Sequence, residues 1–217
     1  MWNGKKKAVT FSFDDGVTQD VRLVEMLNKY CLKGTFNINS GFLGLPGYIK
    51  ASEVKELYAG HEVAVHTITH PSLVGLDEKT IIRQVEEDRI ALEKLCGYSI
   101  VGMAYPNGAE DAFVADVIAK NTPIKYSRTV TSTHSFAVQK EDLLRYNPTV
   151  YYVEACLEEI VDKFLASESD EDQLLYIWGH SYEMDMKFIS WEKFEEICQK
   201  LSGRDDIFYG TNKEVLL

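Results

Sequence analysis

The fold class is decided by one stretch near the start of the chain, Ala8-Val9-Thr10-Phe11-Ser12-Phe13-Asp14-Asp15-Gly16. It is an apolar run of strand length that ends in two carboxylates and a glycine. Runs of the same kind recur along the 217 residues, and helical patterns separate most of them. The strand-like runs are Ala8–Phe13, Thr35–Asn39, His61–His66, Ile100–Tyr105, Ile124–Val130, Thr149–Tyr152, Leu174–Trp178 and Ile207–Tyr209. This alternation predicts an α/β fold in which parallel strands are joined by helical crossovers.

The spacing of apolar residues predicts amphipathic helices between the strands. From Leu157 to Leu165 and from Phe194 to Leu201 apolar side chains recur three and four residues apart, with Ser190 as the expected N-cap of the second helix. Further helices are expected near Gln19–Leu32, Ser52–Tyr58, Asp77–Leu95 and Asp111–Lys120. Two architectures fit this pattern, a (β/α) barrel short of eight units and an open doubly wound sheet. The first strand is not followed by a Gly-x-Gly-x-x-Gly turn, which argues against the dinucleotide-binding form of the open sheet.

Length and charge limit the number of domains and the classes of partner. The 217 residues predict one domain spanning residues 1–217, or two small domains at most. The chain has 23 basic and 34 acidic residues, and its net charge of −11 repels nucleic-acid phosphates and anionic lipid headgroups. No apolar run approaches about 18 residues, so no membrane span is expected. The first residues carry no apolar core of a signal peptide, so the expected location is the cytoplasm.

The four cysteines, at positions 31, 96, 156 and 198, show no Cys-x-x-Cys spacing. A zinc knuckle or a redox pair would require that spacing, so neither is predicted. Cys31, Cys156 and Cys198 lie in amphipathic runs and are expected to be buried as small apolar residues. His61 and His134 have no other candidate functional residues near them in the sequence pattern, so we expect both to be structural.

Unusual polar residues follow most of the predicted strands. In a parallel (β/α) barrel the carboxyl ends of all strands lie on one face, and that face carries the chemistry. Residues from distant parts of the chain are therefore expected to converge on one rim. They are Asp14, Asp15, Asn39, His66, His70, Pro106, Asn107, Arg128 and His180.

The segment His66-Thr67-Ile68-Thr69-His70 indicates a metal site, since histidines at i and i+4 share one face if the segment forms a helical turn. With one carboxylate the pair gives a His₂Asp set with an open fourth position, which is typical of catalytic metal sites. Zinc is the default ion, and cobalt, iron, manganese and nickel stay open on ligand type alone. Asp14 and Asp15 are adjacent at a strand end, so we expect them to project to different sides, and they need not share one task. His180 follows a markedly apolar strand and is a candidate general acid.

At these residues the sequence resembles the polysaccharide deacetylases, the NodB-homology carbohydrate esterases. Phe11-Ser12-Phe13-Asp14-Asp15-Gly16 resembles the family's first motif, and His66-Thr67-Ile68-Thr69-His70 resembles its His-[Ser/Thr]-x-x-His motif. Tyr105-Pro106-Asn107-Gly108 is similar to its third motif, and Ile177-Trp178-Gly179-His180 to its fifth. The order and spacing match over nearly the whole chain. The resemblance implies a distorted, incomplete (β/α) barrel of about seven parallel strands and metal-dependent removal of an acetyl group, typically from N-acetylated amino sugars.

Carried over by position, the resemblance implies a general base, a general acid and three metal ligands. These are Asp14, His180 and the set Asp15, His66 and His70. Tyr105 and Asn107 of the third motif would bind or orient the substrate, with a backbone N–H near Asn107 donating to the oxyanion. Trp178 stands where the family usually has leucine, and it would wall the pocket for the acetyl methyl group, stack on a sugar face or pack in the core.

Two departures from the family pattern concern the surroundings of the base and of the acid. The arginine that usually opens the third motif and orients the base is Ala104 here. We hypothesise that Arg128, near the end of the next strand, orients Asp14 instead. No Asp-x-x-Asp-Trp motif is visible, so the acidic partner of the candidate acid stays open between Glu183 and Asp185.

The sequence leaves several functions open. The first is a metal-dependent deacetylase, a carbon–nitrogen hydrolase acting on an N-acetylated (or O-acetylated) sugar or polysaccharide, with small intracellular sugars favoured by the lack of a secretion signal. A hydrolase of a small non-sugar amide and a non-catalytic carbohydrate-binding relative are the alternatives. A magnesium phosphoryl-transfer site at Asp14 and Asp15 is disfavoured by the two imidazoles and by the charge of −11. The oligomeric state is not indicated.

Overall fold

The computed structural model describes residues 2–217. In this range the strands are β1 (Lys7–Asp15), β2 (Gly34–Ile38), β3 (Glu62–Val65), β4 (Gly102–Ala104), β5 (Tyr126–Arg128), β6 (Val150–Tyr151), β7 (Gln173–Gly179) and β8 (Ile207–Tyr209). The α-helices are α1 (Asp20–Lys29), α2 (Val54–Leu57), α3 (Glu78–Cys96), α4 (Ala112–Asn121), α5 (Leu157–Ala166), α6 (Tyr182–Asp185), α7 (Trp191–Leu201) and α8 (Asn212–Leu216). Strands and helices alternate over most of the chain, as the sequence pattern predicts.

The strands form one parallel sheet with β1 near its centre. Along the sheet the order is β5-β4-β3-β2-β1-β7-β6, and β8 pairs with the first residues of β1. The ladders between these strands are all parallel. The sheet curls into a half-barrel, and within residues 2–217 no ladder joins β5 to β6 to close it. The predicted incomplete (β/α) barrel of about seven parallel strands is confirmed.

The two faces of β1 explain how the central strand serves both the core and the site. Phe11 and Phe13 face outward and make edge-to-face contacts with Phe194 of α7, with ring centroids 6.0 and 5.8 Å apart. Ser12 and Asp14 alternate with them and face inward, where the side chain of Asn37 donates hydrogen bonds to both. Because side chains alternate along a strand, β1 packs on the helical layer with one set of residues and lines the barrel with the other. Asp14 is thereby held inside the carboxyl end of the barrel.

The ends of several helices follow the capping residues in the sequence. Ser190 caps α7 by accepting a hydrogen bond from the backbone N–H of Lys193, as predicted. Asp77 and Asp111 cap α3 and α4 in the same way. These caps fix where each helix begins, and so they fix the lengths of the loops that precede the helices.

The segment after α1 contradicts one expectation about the cysteines. α1 ends at Lys29, short of the predicted end at Leu32, and Cys31 adopts a left-handed backbone with φ of +54°. Cys31 is consequently exposed, and the prediction that it is buried is wrong. Cys156 is half-buried, and Cys198 is buried as predicted. Within residues 2–217 the helices all lack the combination of length and apolar character that crossing a bilayer requires.

Candidate active site

Asp14 and Asp15 end the central strand, and both line one cleft of about 490 Å³. Opposite directions are expected for adjacent residues of an extended strand. Asp15, however, has a φ of +84° and Gly16 a φ of +69°, so the backbone leaves the pleat at this point. The two carboxylates therefore reach the same cleft, where they meet different neighbours.

His66 and His70 follow β3 in an irregular loop, so the helical turn that would place them on one face is not formed. Thr67 and His70 have left-handed φ values of +67° and +55°, which a right-handed helix does not allow. The two imidazole rings nevertheless lie together, with centroids 4.8 Å apart. The shape of the loop, and not helical spacing, brings the pair together.

Buried polar groups hold this loop in its strained conformation. Asn39, just after β2, donates its side-chain N–H groups to the carbonyl oxygens of His66 and Thr67. Asp88 of α3 accepts hydrogen bonds from the backbone N–H groups of His66 at 3.0 Å and Ser40 at 2.7 Å. A left-handed β-branched residue such as Thr67 costs about 1–3 kcal/mol and persists only where its surroundings over-determine it. These contacts supply that constraint.

Three metal-ligand atoms come together in the cleft. Oδ1 of Asp15 lies 3.6 Å from Nε2 of His66 and 3.6 Å from Nε2 of His70. The three residues form a group whose ligand atoms all lie within 4.8 Å of one another. Bonds of about 2.0–2.2 Å to a tetrahedral zinc ion place ligand atoms roughly 3.4 Å apart, which is close to the separations from Asp15.

The hydrogen bonding of His66 tests whether this group fits a metal. Its Nδ1 lies 2.8 Å from the carbonyl oxygen of Ala104, so we assign the proton to Nδ1. Its Nε2 is then an unprotonated acceptor, and it is buried without a hydrogen-bond partner in the described part of the chain. Burial lowers the pKa of His66, which favours the neutral ring that ligates metals. The donor set therefore fits a divalent cation.

Asp14 lies beside this group but has its own partners. Its Oδ2 forms an ion pair with Nη2 of Arg128, and its Oδ1 accepts a hydrogen bond of 2.8 Å from Asn37. Nε2 of His66 and Nε2 of His180 lie 3.8 and 3.9 Å from Oδ2. Burial acts to raise the pKa of Asp14, but the charge of Arg128, helped by the two histidines, brings it down to about 2. Asp14 is therefore ionised at neutral pH.

Arg128 reaches Asp14 across the interior of the half-barrel. It is fully buried in β5, where it lies in register with Ala104 of β4. In the sheet three strands, β4, β3 and β2, lie between β5 and β1. Its guanidinium carbon lies 4.4 Å from the ring centroid of Trp178, a cation–π contact. Arg128 thus contacts Asp14, as the hypothesis that Arg128 orients the base requires.

Glu183, and not Asp185, contacts His180. Oε2 of Glu183 lies 3.3 Å from Nδ1 of His180 and accepts a 3.0 Å hydrogen bond from its backbone N–H. The carboxylate of Asp185 accepts hydrogen bonds from side chains outside the cleft. Burial acts to lower the pKa of His180, but Glu183 and then Asp14 outweigh it, so the pKa lies above its ordinary value. Glu183 thus favours the protonated form of His180.

Tyr105, Asn107 and Trp178 also line the cleft, as predicted for substrate-binding residues. The hydroxyl of Tyr105 donates to the carbonyl oxygen of Leu144 at 2.8 Å, so it is engaged within the protein. Asn107 is exposed and has a φ of +57°. Trp178 is 6% exposed and stacks on Tyr151 with ring centroids 4.4 Å apart. The structure thus brings the predicted residues to one cleft, with Arg128 directly behind its wall.

Three further residues line the cleft without having been marked by the sequence pattern: Val130, Tyr151 and Tyr182. Tyr151 is the last residue of β6, and its hydroxyl bonds to Glu183. Its place at the end of a strand is a signal in the sequence, since aromatic residues at strand ends can line the same rim as the polar ones. The ring of Tyr182 lies 5.1 Å from that of His180, centroid to centroid, and no sequence signal marks it.

Two other cavities, of about 540 and 710 Å³, are larger than this cleft. Lysines and carboxylates contribute to the lining of both. Among the described residues neither contains a group of three metal ligands. The chemistry therefore selects the smaller cleft as the candidate active site.

Comparison with known proteins finds similar sequences and similar folds. The family model described as polysaccharide deacetylase matches residues 2–126. The peptidoglycan-N-acetylglucosamine deacetylase PgdA of Listeria monocytogenes is 30% identical over 115 residues, which are 52% of this chain and 24% of PgdA. The chain thus spans about a quarter of the length of the curated relatives it matches.

Solved structures show the same fold at low sequence identity. A putative polysaccharide deacetylase from Mycobacterium smegmatis has a TM-score of 0.74 and 20% identity, covering 98% of this chain and 90% of that one. BA3943 from Bacillus anthracis, described as a CE4 family pseudoenzyme, has a TM-score of 0.60 and 16% identity, covering 98% of this chain and 66% of that one. These likenesses show the fold, and the activity of this chain has to be argued from its site.

Proposed function

Since the chain belongs to the polysaccharide deacetylase family, we propose that it is a metal-dependent hydrolase that removes the acetyl group from an N-acetylated sugar. One observation carries the proposal. The donor set of Asp15, His66 and His70 shares a single cleft with the ionised carboxylate of Asp14 and the imidazole of His180. The chain spans about a quarter of the length of its curated relatives, so the family supports an acetylated-sugar substrate as a class, and the site supports the hydrolytic chemistry.

Asp15, His66 and His70 would hold the cation, with zinc as the default and cobalt, iron, manganese or nickel compatible with the same donors. When bound, such an ion polarises an acyl carbonyl group and lowers the pKa of water. The chain's own contribution is orientation. Because Nδ1 of His66 donates to the carbonyl oxygen of Ala104, the free Nε2 stays directed at the carboxylate of Asp15.

Asp14 is the proposed general base. Arg128 and Asn37 bind its two oxygens and hold it in one orientation, and each carboxylate oxygen keeps a further lone pair. Asp14 is ionised at neutral pH, so it can take a proton from the water that attacks the acyl carbon. A positioned base of this kind contributes about 10²–10⁴-fold to the rate.

His180 is the proposed general acid. Glu183 favours its protonated form, and its Nε2 faces Asp14 across the cleft. As the C–N bond breaks, His180 donates a proton to the leaving nitrogen, which would otherwise depart as an unstable amide anion. One proton passes from water to Asp14 and one from His180 to the amine. Transfer of the proton from Asp14 back to His180 then restores the starting state, and water is the only co-reactant consumed.

Aromatic residues form the proposed binding surface for the acetylated sugar. Trp178 and Tyr151 stack on each other at the wall of the cleft, where they would hold the acetyl methyl group. Tyr182 lies beside His180 at the same cleft and offers a face for a sugar ring. A backbone N–H near Asn107 is the proposed donor to the oxyanion, and such a donor contributes about 10²–10³-fold.

The proposal is tested by acetate release from N-acetylglucosamine oligomers, from O-acetylated sugars and from small acetylated amides, with zinc or cobalt added to metal-free protein. We expect Asp14→Asn to lose about 10²-fold or more of kcat. Asp116→Asn is the matched control, because Asp116 lies on α4 in an exposed pair with Lys120. Wild-type protein that releases no acetate from any of these substrates, or equal rates for wild type and Asp14→Asn, would overturn the proposal.

The same assay separates the two alternatives. A non-catalytic carbohydrate-binding relative would bind the oligomers without releasing acetate, and the alanine at position 104 in place of the usual arginine is the feature in its favour. The ion pair between Arg128 and Asp14 weighs against it, because it gives the base the partner that Ala104 does not. A hydrolase of non-sugar amides would release acetate from the small amides at least as fast as from the sugars.

A further inference from the structure

A second group of metal-ligating side chains lies outside the cleft, on the segments that follow β5 and β6. It consists of His134, Glu154 and Cys156, whose Nε2, Oε2 and Sγ atoms lie within 4.8 Å of one another. Nε2 of His134 is 2.6 Å from Oε2 of Glu154. Sγ of Cys156 is 3.9 Å from that nitrogen and 3.8 Å from that oxygen. In the sequence His134 has no other metal-ligating residue beside it, but the fold brings Glu154 and Cys156 next to it.

Local hydrogen bonds orient Glu154 toward the other two residues. Its Oε1 accepts hydrogen bonds from the hydroxyl of Ser132 and from the backbone N–H of Tyr151, the latter at 3.0 Å. Its Oε2 is left to face His134 and Cys156. The carboxylate is therefore held in a ligating orientation by contacts that a cation would not have to displace, and that preorganisation lowers the cost of binding.

We propose that His134, Glu154 and Cys156 form a second divalent-cation site, which takes zinc or a zinc-like ion through one nitrogen, one oxygen and one sulfur ligand. Imidazole, carboxylate and thiolate are the ligands that zinc uses in proteins. Ideal tetrahedral bonds place such atoms roughly 3.3–3.6 Å apart. The observed separations of 2.6, 3.8 and 3.9 Å lie on both sides of that range. The histidine and carboxylate atoms would have to separate by about 0.7 Å, and the sulfur would have to approach each of them by about 0.2–0.3 Å.

The exchange of bonds on binding is balanced. The cation replaces the hydrogen bond between His134 and Glu154 with one bond to each residue. Nε2 of His134 gives up the proton that it donates to Glu154, so the ligating ring is neutral with its proton on Nδ1. Cys156 binds as the thiolate, so its proton also passes to solvent. The imidazole of His134 is half-exposed, which leaves room for water as the fourth ligand.

The site would fasten the wall of the active-site cleft. Glu154 accepts the backbone N–H of Tyr151, whose ring stacks on Trp178 and whose hydroxyl bonds to Glu183. A cation on Glu154 would tie the segment of residues 132–134 to that of residues 154–156. We therefore assign the site a structural role, distinct from the chemistry at His66 and His70.

Cobalt titration of metal-free, reduced protein tests the proposal. The His₂Asp group contains no sulfur, so a thiolate-to-cobalt charge-transfer band in the near ultraviolet reports only on a site with a cysteine. We expect this band to accompany a second bound equivalent. Cys156→Ala and His134→Ala should remove the second equivalent and leave the first. The matched control is Cys31→Ala, which alters the exposed cysteine outside the group and should keep the band.

Three results would overturn the site. One is saturation at a single equivalent without a thiolate band. Another is a band that survives in Cys156→Ala or disappears in Cys31→Ala. The third is a second equivalent that persists in both Cys156→Ala and His134→Ala. None of these readouts depends on catalytic activity, so the proposal stands or falls separately from the deacetylase function.

Discussion

Replacement of Arg128 by methionine tests whether this residue orients the proposed base. Methionine keeps much of the length and apolar surface of the arginine stem but removes the guanidinium. Asp14 then keeps the hydrogen bond from Asn37 and loses its ion pair. The carboxylate is left buried with its charge unpaired and one of its oxygens free to move.

The size of the effect follows from burial. The side chains of Arg128 and Asp14 are 0% and 4% exposed. Removing one partner of such a pair costs about 3–5 kcal/mol, because the other charge stays buried without compensation. In a domain of this size the loss lowers the melting temperature by roughly 6–20 °C. Without Arg128 the carboxylate of Asp14 is no longer held in place, and it loses much of its contribution to the rate as a base. We therefore expect kcat to fall about 10²-fold.

Urea unfolding and acetate release measure the two effects. In the double variant Arg128→Met/Asp14→Asn no charge is left unpaired, so part of the lost stability should return while activity stays low. Arg89→Met is the matched control, since Arg89 is paired with two glutamates of α3 away from the cleft and should keep its kcat. Near-normal kcat in Arg128→Met, or a double variant no more stable than the single one, would refute the reasoning.

Three further variants probe the groups around the site. Burial raises the pKa of Asp20 to about 7, so the stability that its protonated form contributes is complete below pH 3.8 and is lost as the pH rises through about 7. In urea unfolding at several pH values, Asp20→Asn should make the free energy of unfolding depend less steeply on pH. An equal pH dependence in wild type and variant would contradict this. Glu183→Gln should move the alkaline limb of the kcat/KM profile to lower pH, because the carboxylate raises the pKa of His180; an unmoved limb would exclude this coupling. Asp88→Asn should weaken zinc binding about 10-fold in chelator competition, because an amide replaces the carboxylate that holds the backbone of His66; unchanged affinity would exclude that role.

Strand-end chemistry is the part of the site that sequence predicts well. Asp14, Asp15, His66 and His180 each follow an apolar run, and parallel topology alone then places them on one rim. The fold class follows from the same alternation of strand and helix, because the period of an apolar pattern is a local property of the chain.

What sequence does not predict depends on backbone dihedrals and long-range contacts. The i, i+4 spacing of His66 and His70 is compatible with a helix or a loop, and the contacts of Asn39 and Asp88 select the loop. Tyr151 lines the cleft, but an aromatic residue at a strand end cannot be told from a core residue until the neighbouring strands are in place.

The register of β4 and β5 leads to a last prediction, about the place of the arginine. Ala104 and Arg128 lie directly opposite each other on these two parallel strands. Paired residues of adjacent strands point to the same face, so both side chains are directed into the barrel. Neighbouring strands are only about 4.8 Å apart, so moving the arginine from β5 to β4 displaces its Cα atom by about that distance. The long, flexible side chain can span this difference. An arginine at either position should therefore reach Asp14.

We expect Ala104→Arg combined with Arg128→Ala to recover about tenfold of the kcat lost in Arg128→Ala alone, because the truncated side chain makes room for the new one. Acetate release and urea unfolding of the double variant against Arg128→Ala measure the recovery. Ala104→Arg alone is the control, and it should be less stable than wild type, since two buried guanidinium groups would then compete for the single carboxylate of Asp14. A double variant with neither higher kcat nor higher stability than Arg128→Ala would mean that the guanidinium acts through a geometry that only β5 provides.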